Sequence, residues 1–120
     1  MNDTSKSWDA DRVRTWLDRR LEAARLDQAA ADKRGYGAEN DYDAAAAEEW
    51  VCRALQMSGK ASDQAEFAAH VKALLAKEEY PATSIHDDRR FDRAVRATLR
   101  KIAKMTKANE GFENTLHYQR

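Results

Sequence analysis

Apolar residues recur at three- and four-residue spacing in four separate stretches of the chain. Val13, Trp16, Leu17, Leu21 and Ala24 predict a helix over residues 8–32, with Ser7 or Asp9 as its cap and Asp9 and Asp11 at its positive end. Gly35 and Gly37 break the pattern, after which Asn40 or Asp41 caps a second helix over 41–57. Tyr42, Ala46, Ala47, Trp50, Val51, Ala54 and Leu55 spread over so wide an arc of it that this helix is expected at the centre, with Glu48, Glu49 and Arg53 on a wet side. Residues 58–62 make a turn. Asp63 with Glu66 three residues later resembles a capping box and opens a third helix over 63–79, whose core side carries Phe67, Val71, Leu74 and Leu75 and which Pro81 ends. Thr83 or Ser84 caps a fourth helix over 84–108, stopped by residues 109–111.

No run alternates β-branched and polar residues, and alanine-rich segments such as 43–50 favour helix. The pattern therefore predicts one all-α domain over residues 1–120, a compact bundle of about four helices with an irregular or short helical tail beyond 108. Short links among helices two, three and four predict antiparallel neighbours.

The fourth helix carries the most unusual pattern. Arg89, Arg93, Arg96, Arg100, Lys104 and Lys107 fall three or four apart, which at about 100° per residue places them within roughly 80° of one another. Phe91, Val95, Leu99, Ile102 and Met105 share the opposite arc, so this helix docks by one side and presents a cationic ridge on the other. Asp87, Asp88 and Asp92 all avoid the ridge, although mixed charge is the usual way to support a solvated helix face. Arginine outnumbers lysine there four to two, and its planar fork suits bidentate contact with phosphate or carboxylate.

Overall charge makes this feature local. Lysine plus arginine and aspartate plus glutamate both number 21, so no global field draws the chain to nucleic acid or to a membrane surface. Residues 1–58 carry nine basic and twelve acidic side chains, whereas 86–108 carry eight and three. The ridge thus has three candidate counter-ions: nucleic acid, an acidic protein, and the chain's own N-terminal half. No run approaches membrane-spanning length and the first residues have no apolar core, so no membrane partner and a cytoplasmic location are expected. Cys52 stands alone, which excludes an intramolecular disulfide and a cysteine-only zinc site and suits a reducing compartment. Abundant Ala, Arg and Asp with only two isoleucines suggest a GC-rich bacterial or phage genome.

Other motifs are weaker. Arg34-Gly35-Tyr36-Gly37 matches the first four positions of the RNA-recognition-motif signature, which works by stacking bases on a β-sheet. Ala38-Glu39-Asn40 breaks the match, no sheet is expected, and a connector explains the glycines; Lys33, Arg34 and Tyr36 retain the chemistry to touch a phosphate or a base. Gly59-Lys60 lacks the spacing of a phosphate-binding loop. Asp63, Glu66 and His70 share one helix side, yet they fall short of the ligand count of a structural zinc or of a helical carboxylate-bridged centre, so no metal and no cofactor are expected. Cys52 sits in an alanine-rich helix as a small apolar residue, and His70, His86 and His117 are scattered, so no catalytic constellation emerges.

Trp16 and Trp50 fall on apolar arcs and belong to the core. Trp8 and Leu26 lie away from the stripe of the first helix, and Phe112, Leu116 and Tyr118 punctuate the tail. Trp8, Leu26, Phe112 and Tyr118 are therefore candidate apolar contacts to a partner or a second copy, with folding of Trp8 and the tail onto the bundle as the alternative. The expectation is a small non-catalytic regulator whose ridge meets an anionic partner, nucleic acid ahead of an acidic protein surface. A phage- or plasmid-type inhibitor acting on a host protein or nucleoprotein complex is the second possibility. Asp87 and Asp88 at the start of the fourth helix argue against base reading by its N-terminus and for contact with phosphates.

Overall fold

The computed structural model describes residues 8–81 and 87–112. Four helices follow one another: α1 (Ala10–Arg34), α2 (Glu39–Ser58), α3 (Gln64–Leu75) and α4 (Asp88–Ala108). There is no strand among the described residues. One all-α core unites the helices, with Trp16, Leu17, Val51, Leu55, Phe67, Val71, Val95, Leu99 and Ile102 at its centre.

Sequence signals fix several helix ends. The Asp9 carboxylate accepts from the Arg12 N–H and that of Asp63 from the Glu66 N–H, each satisfying a donor that has no intrahelical acceptor. Other ends differ from expectation: α1 lies two residues later than 8–32, and α4 begins at Asp88 rather than 84, because Asp87 is extended and caps it. α2 begins at Glu39, two residues early and without a side-chain cap, because Ala38 is itself buried and the Tyr42 N–H already bonds to its carbonyl. α3 stops at Leu75, well before Pro81, because Tyr80 folds back beneath its last turn and donates its hydroxyl to the Leu74 carbonyl. Asp87 caps α4 at the Arg89 and Arg90 N–H groups; Thr83 and Ser84 lie outside the described residues.

α1 and α2 are antiparallel, with Arg34 paired to Asp41 at 2.8 Å near one end and Gln56 bonded to Asp18 towards the other. Their seam holds a bidentate Arg20–Glu48 pair at 2.8 and 2.9 Å and a Glu49 carboxylate shared by Arg25, Arg53 and Gln28. Burial disfavours the charged form of Glu49, but the bonds from Gln28 and Arg25 and the charges of Arg53 and Arg25 outweigh it and hold this carboxyl below its ordinary range. The two glutamates expected on a wet side thus stitch the first two helices together.

The antiparallel succession expected for the last three helices is what the structure has, but α2 and α3 are not close neighbours. α2 packs on α4 and only lightly on α3, while α3 packs on α4. Arg90, in the first turn of α4, reaches Asp43 near the start of α2 at 3.0 Å, so these two helices run in the same direction. Gln64 at the start of α3 donates to the Thr106 carbonyl near the end of α4, which makes that pair antiparallel. α2 keeps its central place, and α4 lies between α2 and α3 with its far side open.

Candidate anionic-partner surface

The outer side of α4 is held open by what its inner side buries. Phe91, Val95, Leu99, Ile102 and Thr106 are each at most 3% exposed, and the residues on the opposite arc stand out from the bundle. Arg89, Arg93, Arg100, Lys104 and Lys107 are exposed along a line of about 27 Å, given a rise of 1.5 Å per residue. Lys101 is exposed on its flank, and the small Ala97 and Ala108 leave it unobstructed. Asp87 closes the N-terminal end. The bond from the Arg90 N–H, aided by that from Arg89 and by both guanidinium charges, outweighs burial and keeps its carboxyl below the usual range.

Pairing separates this face from the rest of the molecule. Arg12, Arg14, Arg20, Arg25, Arg34 and Arg53 of α1 and α2 each hold a carboxylate within 4.0 Å. Among the described residues, no carboxylate stands that close to Arg89, Arg93, Arg100, Lys104 or Lys107. Asp9, Asp11, Asp41, Glu48 and Glu49 of the N-terminal half are engaged by arginines of that same half, and among the described residues the ion pair from α4 to it is made by Arg90, off the ridge, with the fully buried Asp43.

Arg96 leaves the ridge. Its Nη1 donates to the Leu75 carbonyl at 3.1 Å and its Nη2 to the carbonyls of Lys77 and Glu78, each at 3.0 Å, while the guanidinium lies 5.0 Å from the centre of the Tyr80 ring. Trp50 also meets the Tyr80 ring edge-on, at 5.4 Å between centres. Arg96 occupies the edge of the ridge nearest α3, and the end of that helix offers carbonyls with no intrahelical donor to a cation. It acts as a clamp on the α3 terminus.

The apolar contact candidates separate in the same way. Trp8 is half-buried, donates its indole N–H to the Ala61 carbonyl at 2.7 Å and packs on Phe67 and Phe112. Phe112 is 2% exposed and meets Trp16 edge-on at 5.4 Å. Both close the end of the bundle, so neither is presented to a partner. Leu26 is 63% exposed on α1; Tyr118 lies outside the described residues. Among the described residues, fully exposed Tyr36 and largely exposed Met57 complete the large outward hydrophobic side chains.

No described group of three His, Cys, Asp or Glu side chains has the geometry to hold a metal ion. Cys52 has no exposure, and burial together with the Glu48 charge pushes its thiol up to about 12, the state of a packing group rather than a nucleophile. No described helix is long and apolar enough to cross a membrane. A scan of protein-family models, a search of curated proteins and a search of solved structures each find nothing that matches the chain.

Proposed function

We propose that this protein is a small non-catalytic regulator that binds nucleic acid through the phosphate backbone, using Arg89, Arg93, Arg100, Lys104 and Lys107 of α4. The observation that supports this reading is the contrast in pairing: six of the seven described arginines of α1 and α2 hold a carboxylate, while these five cations stand exposed along one line with no described carboxylate within 4.0 Å. Like charges at this spacing oppose one another by a few tenths of a kcal/mol per pair on an isolated helix, and a polyanion reverses that sign. Phosphate contact without base readout fits the face, because its cations lie along the helix and the N-terminal turn carries Asp87 and Asp88.

Titration of labelled duplex and single-stranded oligonucleotides against salt tests the proposal. Five phosphate contacts give a slope of log K against log salt of about −4.5 on duplex DNA and about −3.5 on a single strand. An Arg93→Glu, Arg100→Glu, Lys104→Glu triple variant is expected to abolish binding while keeping its fold. Absence of binding by the unaltered protein at low salt, or binding undiminished in the triple variant, overturns the reading. With the first of these results, an acidic protein surface becomes the partner to pursue.

A further inference from the structure

The turn between α1 and α2 spends a good deal of structure on exposing one aromatic ring. Tyr36 is fully exposed, whereas every other described Trp, Tyr and Phe is at least partly covered. The turn that carries it is well braced. The Gly35 N–H donates to the Ala31 carbonyl and the Ala38 N–H to the Gly35 carbonyl, both at 3.1 Å, and the Gly37 N–H donates to the Glu39 carboxylate. Below it, the Arg34–Asp41 pair ties the two helices together, and Ala38 is buried. Gly35 and Gly37 take φ of 73° and 98°, conformations that side-chain-bearing residues rarely adopt, and these set the ring outward between them. An exposed tyrosine on a fixed turn loses little freedom when a flat apolar ligand covers it.

Its place in the fold joins it to the basic face. The Arg90–Asp43 pair sets the first turn of α4 beside the start of α2, and the start of α2 follows this turn directly. Tyr36 and exposed Lys33 therefore lie at the same end of the bundle as Arg89 and Arg93. A backbone running along α4 leaves the protein at the end where the ring stands.

We infer that Tyr36 is a base-stacking platform for a single-stranded nucleic acid whose phosphates follow the α4 face. This rests on the proposed reading of that face and adds the class of strand. Stacking needs the flat side of an unpaired base, which a continuous duplex keeps covered by its neighbours, and it tolerates any sequence because every base has such a side.

Fluorescence anisotropy with a labelled oligothymidylate of about 20 nucleotides and a blunt duplex of similar length tests this in the full chain. Tyr36→Ala is expected to weaken oligothymidylate binding by roughly 5- to 150-fold with the duplex and the melting temperature unaffected, and Tyr36→Phe, which keeps the ring, to bind as the unaltered protein does. Unchanged oligothymidylate binding by Tyr36→Ala, or an equal loss on both probes, overturns the stacking role. If either result accompanies binding that the α4 triple variant abolishes, the phosphate-binding reading stands alone; no binding of either probe at low salt removes both.

Discussion

Replacing Arg96 and replacing Arg100 with alanine are expected to have opposite consequences, although four residues separate them on one helix. Arg96 donates to three carbonyls at the end of α3, at 3.0 to 3.1 Å. A hydrogen bond from a charged donor is worth about 1.5–3 kcal/mol where water cannot replace it. Lys77 and Glu78 are exposed, so water replaces most of those two bonds, and the bond to half-buried Leu75 carries the larger share. The stacking over Tyr80 adds about 0.5–1 kcal/mol. Arg96→Ala therefore costs about 2–3 kcal/mol, or roughly 6–15 °C in Tm for a chain of this size. The same substitution removes no phosphate contact, so the salt slope of any nucleic-acid complex formed stays the same. Arg100→Ala touches nothing inside the fold, so stability stays within about 0.5 kcal/mol, while the slope on duplex DNA becomes shallower by about 0.9. Thermal melts followed by circular dichroism and salt titrations on both variants separate the two roles. A shallower slope for Arg96→Ala with an unchanged Tm would refute the clamp and return Arg96 to the ridge.

Three further outcomes follow from the buried and half-buried polar groups. Arg90→Ala removes a partner from the fully buried Asp43 and is expected to cost about 1.5–3 kcal/mol by urea unfolding, with Asp43→Asn in the same chain recovering part of it; a loss no larger in the single variant than in the double contradicts this. The Cys52 thiol, pushed up to about 12, is expected to react with a thiol reagent at about pH 8 no faster than the chain opens; labelling within the mixing time in native buffer argues against its place in the core. Glu49 is held below its ordinary value of 4.5, so its charge stabilises the fold above that value and the contribution fades as pH falls through the lowered one. Glu49→Gln is accordingly expected to be less stable than the unaltered chain at about pH 7, and the difference in urea midpoint to shrink as pH falls below 4.5; a difference independent of pH contradicts this.

Local periodicity made the four helices and much of the core legible. Val13, Trp16 and Leu17, and likewise Phe91, Val95, Leu99 and Ile102, announce their buried sides by spacing alone, and the carboxylates of Asp9 and Asp63 mark two starts correctly. The end of α3 was hidden because its stop is tertiary: Tyr80 folds back beneath it, and Arg96, 21 residues beyond Leu75, collects the carbonyls there. The wheel fixes the angle of Arg96 on α4 but not where α3 lies beside it. Asp43 carried a readable hint, standing four residues before Ala47 and eight before Val51 on the buried stripe of α2. Its partner Arg90 did not, since only the parallel docking of α2 and α4 brings the two together. Trp8 and Phe112 found each other across nearly the whole chain, a pairing that no local spacing encodes.

That aromatic closure at the end of the bundle sets a schedule for the newborn chain. Trp16 is in place early in translation, but the Phe112 ring that covers its edge is added 96 positions later, which at 5–20 residues per second is a wait of about 5–20 s. Until then the apolar stripe of α1 has α2 as its partner and an uncovered end. The first two helices, tied by their own arginine–glutamate pairs, can wait as a hairpin on the ribosome, and the core closes only when Phe112 clears the exit.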